Sequence, residues 1–278
     1  MGSMIDYVRR FLGTALSFIV YGIGGIILSI AVFPLIALFT RDKDTRTRRV
    51  RSILSRSYAN FLWLMQTLGV ARFEVDPRCR EKLSRSGGLI VVANHPTLID
   101  VIQLLAQIEH GNCIVKRAMW NNPFLGGAVR AANYIPNNDS EELLLQCAQV
   151  LSRGETLVIF PEATRTVPGE EMKLHRGAAH VAIMSAVPLQ LVHLSCEPPT
   201  LSKAEHWYQI PPQRPYFQMT VGDTLRTGDI LIEGESRSLA SRRLTGVLQR
   251  KLSKTEPSEK TEPSEKTEPS ENTEPENE

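Results

Sequence analysis

An uncharged segment of thirty residues, Phe11 to Thr40, constrains this chain more than any other feature of its sequence. It reads FLGTALSFIVYGIGGIILSIAVFPLIALFT. About 20 apolar residues in a helix cross the hydrocarbon core of a bilayer, so the segment is long enough to cross or enter a membrane. A signal peptide is disfavoured, because its apolar region is usually shorter and ends in a small-residue cleavage site. Gly22, Gly24, Gly25 and Pro34 would weaken a straight span, which keeps a re-entrant or half-inserted helix open as an alternative.

The residues after this segment are strongly basic, with seven lysines and arginines between positions 41 and 56 against two arginines before it. By the positive-inside tendency, this asymmetry predicts that the rest of the chain is cytoplasmic. Apolar residues then recur at three-to-four spacing from Ile53 to Leu68, and Gly69 is a plausible helix end. The spacing predicts an amphipathic helix. Its apolar face is either ordinary core or a membrane-interface contact, and the sequence leaves both open.

Short apolar runs alternate with helical patterns from residue 73 to residue 252. This alternation predicts an α/β domain in which helices flank a largely parallel sheet, with ligands at the carboxyl ends of the strands. The predicted strands are Leu89–Ala93, Cys113–Lys116, Thr156–Phe160, Pro188–Leu194 and Tyr216–Val221, and the predicted helices are Val101–Glu109, Ser140–Leu151 and Gly177–Ser185. Residues 1–72 are then an N-terminal membrane-associated segment with a membrane helix and an amphipathic helix.

The last segment, residues 253–278, repeats Thr-Glu-Pro four times and has no apolar residue after position 253. Such a segment buries nothing that offsets the entropy of ordering, so we predict a disordered tail.

The charge of the chain is unevenly distributed. Residues 254–278 hold three lysines and nine glutamates, a net charge of −6, so the remainder carries +8. This modest basic bias suits an anionic membrane surface or an acidic ligand, and no basic block with interleaved aromatics indicates nucleic acid. The four cysteines have no C-x-x-C spacing and are expected to be reduced.

A polar stretch, NHPTLID at residues 94–100, follows the first predicted strand of the sheet. It places His95 at the strand end, Thr97 as a predicted helix cap and Asp100 in the first helical turn. Five positions apart on one helix, His95 and Asp100 would point about 140° away from each other, so they meet only across a strand-to-helix turn. A carboxylate on one imidazole nitrogen fixes the tautomer and leaves the other nitrogen as a general base. Alternatively, Thr97 and Asp100 only cap the helix.

A second polar stretch, FPEATRT at residues 160–166, follows another predicted buried strand and carries Glu162 and Arg165. The forked donors of an arginine suit a phosphate dianion. The alternative is a structural salt bridge between these two residues. The three histidines His175, His180 and His193 have no metal-ligand spacing, and no G-x-S-x-G sequence indicates a serine hydrolase.

Together, the two stretches resemble the sequence marks of the glycerolipid acyltransferase superfamily typified by lysophosphatidic acid acyltransferases, N-H-x-x-x-x-D and F-P-E-G-T-R-S. The resemblance covers residues 85–195 and extends to the membrane helix and amphipathic helix before them. It implies that His95, paired with Asp100, deprotonates an acceptor hydroxyl, which attacks the thioester of acyl-CoA or acyl carrier protein directly. No acyl-enzyme, metal or other cofactor is implied. The residues expected to bind substrate are Glu162, Arg165, Thr164, Lys116 and Arg176.

Two positions depart from the family pattern. Ala163 replaces the usual glycine and would be strained if the position needs a positive φ. Asn137 stands where the family has an arginine, a cation for which Lys116, Arg117, Arg130 or Arg176 could substitute. These departures weaken the case for a simple glycerol phosphate headgroup.

The sequence thus predicts a membrane-bound O-acyltransferase that acts on a lysophospholipid, with lysophosphatidic acid as the default acceptor and phosphatidic acid as its product. The expected partners are the lipid bilayer, the lysolipid and the acyl donor, and the expected location is the cytoplasmic face of a bacterial inner membrane. Three alternatives stay open: another acceptor such as a lyso-aminolipid or a specialised lipid precursor, a non-catalytic membrane adaptor, and a hydrolase that cuts acyl thioesters.

Overall fold

The computed structural model describes residues 2–83, 87–122, 125–137, 141–167, 169–203, 205–232 and 234–253. The strands are β1 (Arg72–Val75), β2 (Leu89–Ala93), β3 (Asn112–Lys116), β4 (Ile135–Asn137), β5 (Thr156–Ile159), β6 (Leu189–Glu197) and β7 (Tyr216–Leu225). The helices are α1 (Gly2–Ile27), α2 (Phe33–Phe39), α3 (Lys43–Thr67), α4 (Arg78–Leu83), α5 (Asp100–Gln107), α6 (Arg117–Trp120), α7 (Gly126–Ala131), α8 (Glu141–Ser152), α9 (Gly177–Ser185) and α10 (Arg237–Ser253).

A single seven-stranded sheet in the order β1-β7-β6-β2-β5-β3-β4 forms the centre of the fold. Every neighbouring pair is parallel except β6 with β7. Alternate residues of β2 point to opposite faces. Leu89 and Val91 pack with α3, α5 and α7, whereas Ile90 and Val92 pack with α8, α9 and α10. The predicted α/β fold with a largely parallel, helix-flanked sheet is therefore confirmed.

The structure corrects several predicted elements. The antiparallel pair β6–β7 extends beyond the predicted strands to Glu197 and Leu225, because the two strands pair with each other along a long ribbon. Helix α5 begins at Asp100 and ends at Gln107, earlier at both ends than predicted. Helix α10 was not predicted, because only about one residue per turn is buried in an otherwise polar segment. The predicted disordered tail from residue 254 onward lies outside the described residues.

The uncharged N-terminal segment forms one continuous helical rod from α1 to α2. A π-helical turn, Leu28–Val32, joins the two helices just before Pro34. Proline has no N–H and clashes with the preceding turn, and a widened turn accommodates this defect without breaking the rod. Residues Met4–Phe39 are long and apolar enough, by length and composition, to cross a membrane. At about 1.5 Å per residue the rod is about 54 Å long, well beyond the roughly 30 Å of a hydrocarbon core.

One side of α1 is fixed to the α/β domain. The guanidinium of Arg10 is 1% exposed and donates to the backbone oxygens of Pro211 (2.6 Å), Pro212 (2.9 Å) and Gln213 (3.1 Å). The ring of Tyr21 lies 4.7 Å from that of Phe61 in α3. These contacts anchor the helix along its length.

Close packing continues toward the end of the rod. A Cβ atom at Gly127 of α7 would lie 2.6 Å from the Cβ of Ser29, so a glycine is needed where the two helices touch. Phe33 of α2 is buried in the main core beside α3. The N-terminal segment is therefore integrated into the fold over more than twenty residues.

The opposite side of α1 is an apolar stripe formed by Leu12, Leu16, Ile19, Ile23 and Ile27, whose residues are each about half exposed. These positions recur at three-to-four spacing and so lie on one face of the helix. The rod thus presents a continuous apolar surface away from the protein.

Helix α3 is amphipathic, as the sequence predicts, and begins earlier, within the basic segment. Asp42 caps it by accepting a hydrogen bond from the N–H of Thr45 (2.7 Å). Its buried face includes Leu54, Tyr58 and Phe61. Of the two interpretations left open by the sequence, ordinary core packing therefore describes this face.

Candidate active site

The two polar stretches meet at one edge of the sheet. Val92 of β2 pairs with Ile159 of β5 in parallel register, so His95 and Glu162, each three residues further on, stand level with each other. Asn94 fixes the end of β2 to β6, because its side chain donates to the backbone oxygen of Leu194 and accepts from its N–H, both at 2.7 Å. The carboxyl ends of three adjacent strands thus form one rigid edge.

His95 and Asp100 are brought together by the turn between β2 and α5. The Nδ1 atom of His95 lies 2.9 Å from Oδ2 of Asp100. Thr97 was predicted to cap the following helix, but α5 begins only at Asp100 and has Ile99 at its cap position. Thr97 instead donates its N–H (2.6 Å) and its hydroxyl to the carboxylate of Asp100. The prolyl turn therefore folds the carboxylate back beneath the imidazole.

Burial differs sharply between these two side chains. Asp100 is 1% exposed, whereas His95 keeps 17% of its surface exposed and packs against the ring of Phe160, 4.4 Å away. Burial raises the pKa of the Asp100 carboxyl above its ordinary value, and hydrogen bonds from His95 and Thr97 oppose that rise in part. The arrangement holds one imidazole nitrogen on a buried acid and keeps the ring accessible from outside.

Glu162 supports the histidine loop from the neighbouring strand. It is 4% exposed, and its Oε1 accepts a hydrogen bond from the backbone N–H of His95 at 2.7 Å. Its other oxygen accepts the hydroxyl of Thr166, whose backbone N–H in turn donates to the His95 carbonyl at 3.2 Å. Both carboxylate oxygens are engaged within the protein. Thr166 was missed as a site residue, although its place in the second stretch was a signal for it.

Arg165 does not pair with Glu162, which removes the structural salt bridge as an interpretation. Its Nη1 donates to the backbone oxygens of Leu201 (2.9 Å) and Ser202 (2.8 Å). The carbonyl of Leu201 also accepts the N–H of Leu98 in the histidine loop (2.9 Å). The segment after β6 thereby joins both polar stretches, and no motif in it signalled this role.

Ala163 adopts φ = 58°, in the left-handed region. This position therefore requires the conformation in which glycine is unstrained and alanine is not. The strain lies between Glu162 and Arg165, and it fixes the direction in which the loop leaves the sheet.

The remaining predicted site residues lie around the same edge. Lys116 ends β3 and pairs in register with Asn137 of β4. Arg176 follows His175, whose N–H donates to the backbone oxygen of Pro161 just beyond β5 (2.8 Å). The side chains of Lys116 and Arg176 are exposed. Thr164 is half-buried and donates its hydroxyl to the carbonyl of Arg165 (3.2 Å). Exposed cationic side chains thus lie at the same edge of the sheet as the His95 loop.

Residues 74–195 match a protein-family model described as Acyltransferase. The chain is 33% identical over 104 residues to a 1-acyl-sn-glycerol-3-phosphate acyltransferase of Helicobacter pylori, a match that covers 35% of this chain and 44% of the relative. A chloroplastic 1-acyl-sn-glycerol-3-phosphate acyltransferase of Brassica napus is 24% identical over 170 residues, covering 59% of this chain and 46% of the relative. The chain therefore spans less than half the length of these relatives.

The fold is similar to a crystal structure of PlsC, the 1-acyl-sn-glycerophosphate acyltransferase of Thermotoga maritima. The TM-score is 0.59 at 20% sequence identity, and the similarity covers 91% of this chain and all of that one. The family match includes both polar stretches at the carboxyl edge of the sheet. Residues 74–195, which carry both polar stretches, are therefore the part of the chain that is similar to the acyltransferase family.

Proposed function

We propose that this protein is a membrane-bound O-acyltransferase that transfers a fatty acyl group from acyl-CoA or acyl carrier protein to the hydroxyl of a lysophospholipid, with lysophosphatidic acid as the default acceptor. The observation that carries the proposal is the 2.9 Å contact between His95 Nδ1 and the buried carboxylate of Asp100 at the end of β2. The relatives are named 1-acyl-sn-glycerol-3-phosphate acyltransferases, which supports the same acceptor class.

In the proposed reaction, Asp100 accepts the Nδ1 proton of His95 in a hydrogen bond, so that Nε2 is the basic nitrogen. Nε2 removes the proton of the acceptor hydroxyl as its oxygen attacks the thioester carbonyl. The carbon–oxygen ester bond forms, the carbon–sulfur bond breaks, and the departing thiolate takes the proton from Nε2 and leaves as the thiol. A free alcohol is too weak a nucleophile at neutral pH, which is why the base is needed, whereas the thioester already has a good leaving group.

Glu162 is a positioning residue in this proposal, because both of its oxygens hold the loop that carries His95. Arg165 uses a single nitrogen, Nη1, for its two carbonyl contacts. A guanidinium has five N–H donors, so the same side chain also suits the phosphate of the acceptor. The exposed Lys116 and Arg176 are further candidates for this contact, and Thr164 is a further candidate for a contact with the acceptor.

The mode of membrane attachment follows from the packing of α1. A helix fixed to the domain along one side cannot leave it to cross a bilayer. We infer that the rod lies along the membrane interface with its apolar stripe inserted, in the manner of an interfacial helix. The edge that carries His95 would then act on a lysolipid whose chain stays in the bilayer.

One assay separates the proposed function from its alternatives. Purified protein is incubated with radiolabelled acyl-CoA or acyl carrier protein and a panel of lysolipids that differ in headgroup. We expect label in the diacyl product, with the highest rate for lysophosphatidic acid. Label released mainly as free fatty acid would indicate a thioester hydrolase, a preference for a headgroup without phosphate would change the acceptor, and no turnover with any acceptor would indicate an adaptor.

Asp100→Asn is predicted to separate activity from stability. An amide donates to Nδ1 and favours the wrong tautomer, so transfer should fall about 10³-fold or more. At neutral pH the fold should lose only about 1–2 kcal/mol, because the amide nitrogen in place of Oδ2 leaves the backbone N–H of Thr97 without its acceptor, while a carboxyl whose ionised form is disfavoured by burial is removed. Since the folded pKa is raised, the wild-type protein loses stability as pH rises from the ordinary Asp range near about 4 through the folded pKa.

Thermal unfolding in detergent over a pH series measures this effect. The melting temperature of Asp100→Asn relative to wild type should increase from acidic to neutral pH. A variant that is less stable than wild type at pH 7, by a margin that grows with pH, would contradict the proposed burial cost.

A further inference from the structure

The connection between β6 and β7, called here the β6–β7 loop (residues 198–215, of which residue 204 is not described), contacts both the catalytic edge and the N-terminal helix. At its beginning, the carbonyls of Leu201 and Ser202 accept hydrogen bonds from Arg165. Toward its end, three consecutive carbonyls accept hydrogen bonds from the buried guanidinium of Arg10 in α1. The loop is therefore held in one place beside the apolar rod.

The middle of the β6–β7 loop presents aromatic side chains beside α1. The ring of Trp207 lies 6.5 Å from that of Phe11 and 6.2 Å from that of Phe18, yet Trp207 is 42% exposed. Tyr208, which is 48% exposed, lies edge-on to Trp207 at 5.8 Å and stacks on His206 at 5.1 Å. Two large aromatic side chains are thus partly exposed to solvent next to α1, whose apolar stripe is also exposed.

The position of Trp207 around α1 can be derived from helical geometry. At 100° per residue, Phe11 and Phe18 lie about 20° apart on the helix circumference. They are about 80° from the middle of the face that packs on the domain and about 130° from the middle of the apolar stripe. Trp207 therefore sits on the flank of the helix, level with the boundary between the protein-facing and exposed sides.

We propose that the tip of the β6–β7 loop, Trp207 and Tyr208, is a second membrane contact, which lies in the headgroup layer of the bilayer while the apolar stripe of α1 reaches the hydrocarbon. The inference rests on the interfacial attachment proposed above. Tryptophan and tyrosine combine an apolar ring with a polar group and are enriched at this depth. On the circumference of α1, the half-exposed Val8 lies between Phe11 and the stripe, so that the aromatic surface continues into the stripe. This continuity identifies a lipid surface as its partner.

The proposed contact has a consequence for the acceptor site. Arg165 is bonded to the same loop whose tip would rest in the headgroup layer. The loop and α1 together would fix the catalytic edge at one height above the bilayer. A lysolipid would then need to raise only its headgroup to reach His95.

Depth-dependent fluorescence quenching tests this inference. The protein has three tryptophans, so Trp63→Phe with Trp120→Phe leaves Trp207 as the only one. This variant is bound to phosphatidylcholine–phosphatidylglycerol vesicles that carry bromine either near the headgroup or deep in the acyl chain. We expect a blue shift on binding and stronger quenching by the shallow bromine. A fully bound protein whose Trp207 is quenched by neither lipid overturns the inference and leaves the attachment of α1 standing.

A second measurement uses Tyr208, whose described ring contacts lie within the loop, so that its loss spares the packing of α1. Tyr208→Ser should weaken vesicle binding about fivefold. This loss is less than 1.4 kcal/mol, the free energy that corresponds to a tenfold change in affinity. Leu145→Ser is the matched control, because Leu145 is 59% exposed on α8 at the opposite face of the sheet. Equal affinities of the two variants overturn the inference, and a wild-type protein that binds no vesicles overturns both this contact and the attachment of α1.

Discussion

Replacement of His95 by alanine should reduce acyl transfer by about 10³-fold or more while the protein stays folded. The loss of the general base lowers the rate by this factor, and the remaining rate is what substrate binding alone sustains. The side chain is on a turn at a strand end and is partly exposed, so its removal leaves no large core cavity. Asp100 loses one hydrogen-bond donor but keeps the N–H and hydroxyl of Thr97. We therefore expect a stability loss of only about 1–2 kcal/mol.

The measurement is initial rates of diacyl lipid formation alongside a thermal melt and a vesicle-binding curve. His110→Ala is a suitable control, because His110 is an exposed histidine that precedes β3, at the opposite edge of the sheet from the site. The control should retain the wild-type rate. A pure, folded His95→Ala preparation with wild-type turnover would rule out the proposed base.

Polar substitutions in the apolar stripe should reduce acyl transfer to a bilayer-embedded acceptor far more than transfer to a soluble acceptor. In Leu16→Gln with Ile19→Gln and Ile23→Gln, three side chains that are each about half exposed lose their insertion into the bilayer. Burying the exposed half of one such side chain in the bilayer contributes about 1 kcal/mol to membrane binding. The three together contribute about 3 kcal/mol, which is roughly a hundredfold in membrane affinity. Glutamine has nearly the helix propensity of leucine, so α1 should persist. The contacts of Arg10 and Tyr21 lie on the other side and are preserved.

This triple variant should lose roughly a hundredfold in rate on a bilayer-embedded lysolipid at limiting lipid. Its rate on a short-chain acceptor below its micelle concentration should change less than about twofold. Leu145→Ser with Leu239→Ser, two exposed leucines on the α8 and α10 side of the sheet, controls for general surface effects. If both acceptors lose activity equally, the stripe supports the catalytic domain and is not a membrane contact. Deletion of residues 1–40 is a poorer test, because it also removes Arg10 and Phe33 from the packed fold.

The sequence is most informative where the determinants are local. His95, Thr97 and Asp100 lie within seven consecutive positions after an uninterrupted buried strand, so the turn could be predicted from Pro96 and the spacing. The parallel sheet follows for the same reason, because β2 and β5 are short runs buried on both faces, with Thr156 as their only polar residue. Ala163 also signalled its strain through the glycine expected at that position.

The sequence is least informative where one partner is distant and carries no motif. Arg165 was expected to face Glu162 or a phosphate, but it bonds to carbonyls 36 and 37 residues away, and any residue type supplies a carbonyl. Arg10 lies beside an apolar segment and gives no sign of the carbonyls it reaches about 200 residues later. A membrane helix and a docked helix have the same composition, and only the tertiary contacts distinguish them.

The central claim is direct transfer of the acyl group to a hydroxyl that His95 activates. The most direct measurement incubates the wild-type protein with radiolabelled acyl thioester, with and without lysophosphatidic acid, and follows thiol release and label on precipitated protein. We predict thiol release only in the presence of the acceptor, in equal amount to the new ester, with no label on the protein at any time. Label that precipitates with the protein, or thiol release without acceptor at a comparable rate, would contradict direct transfer.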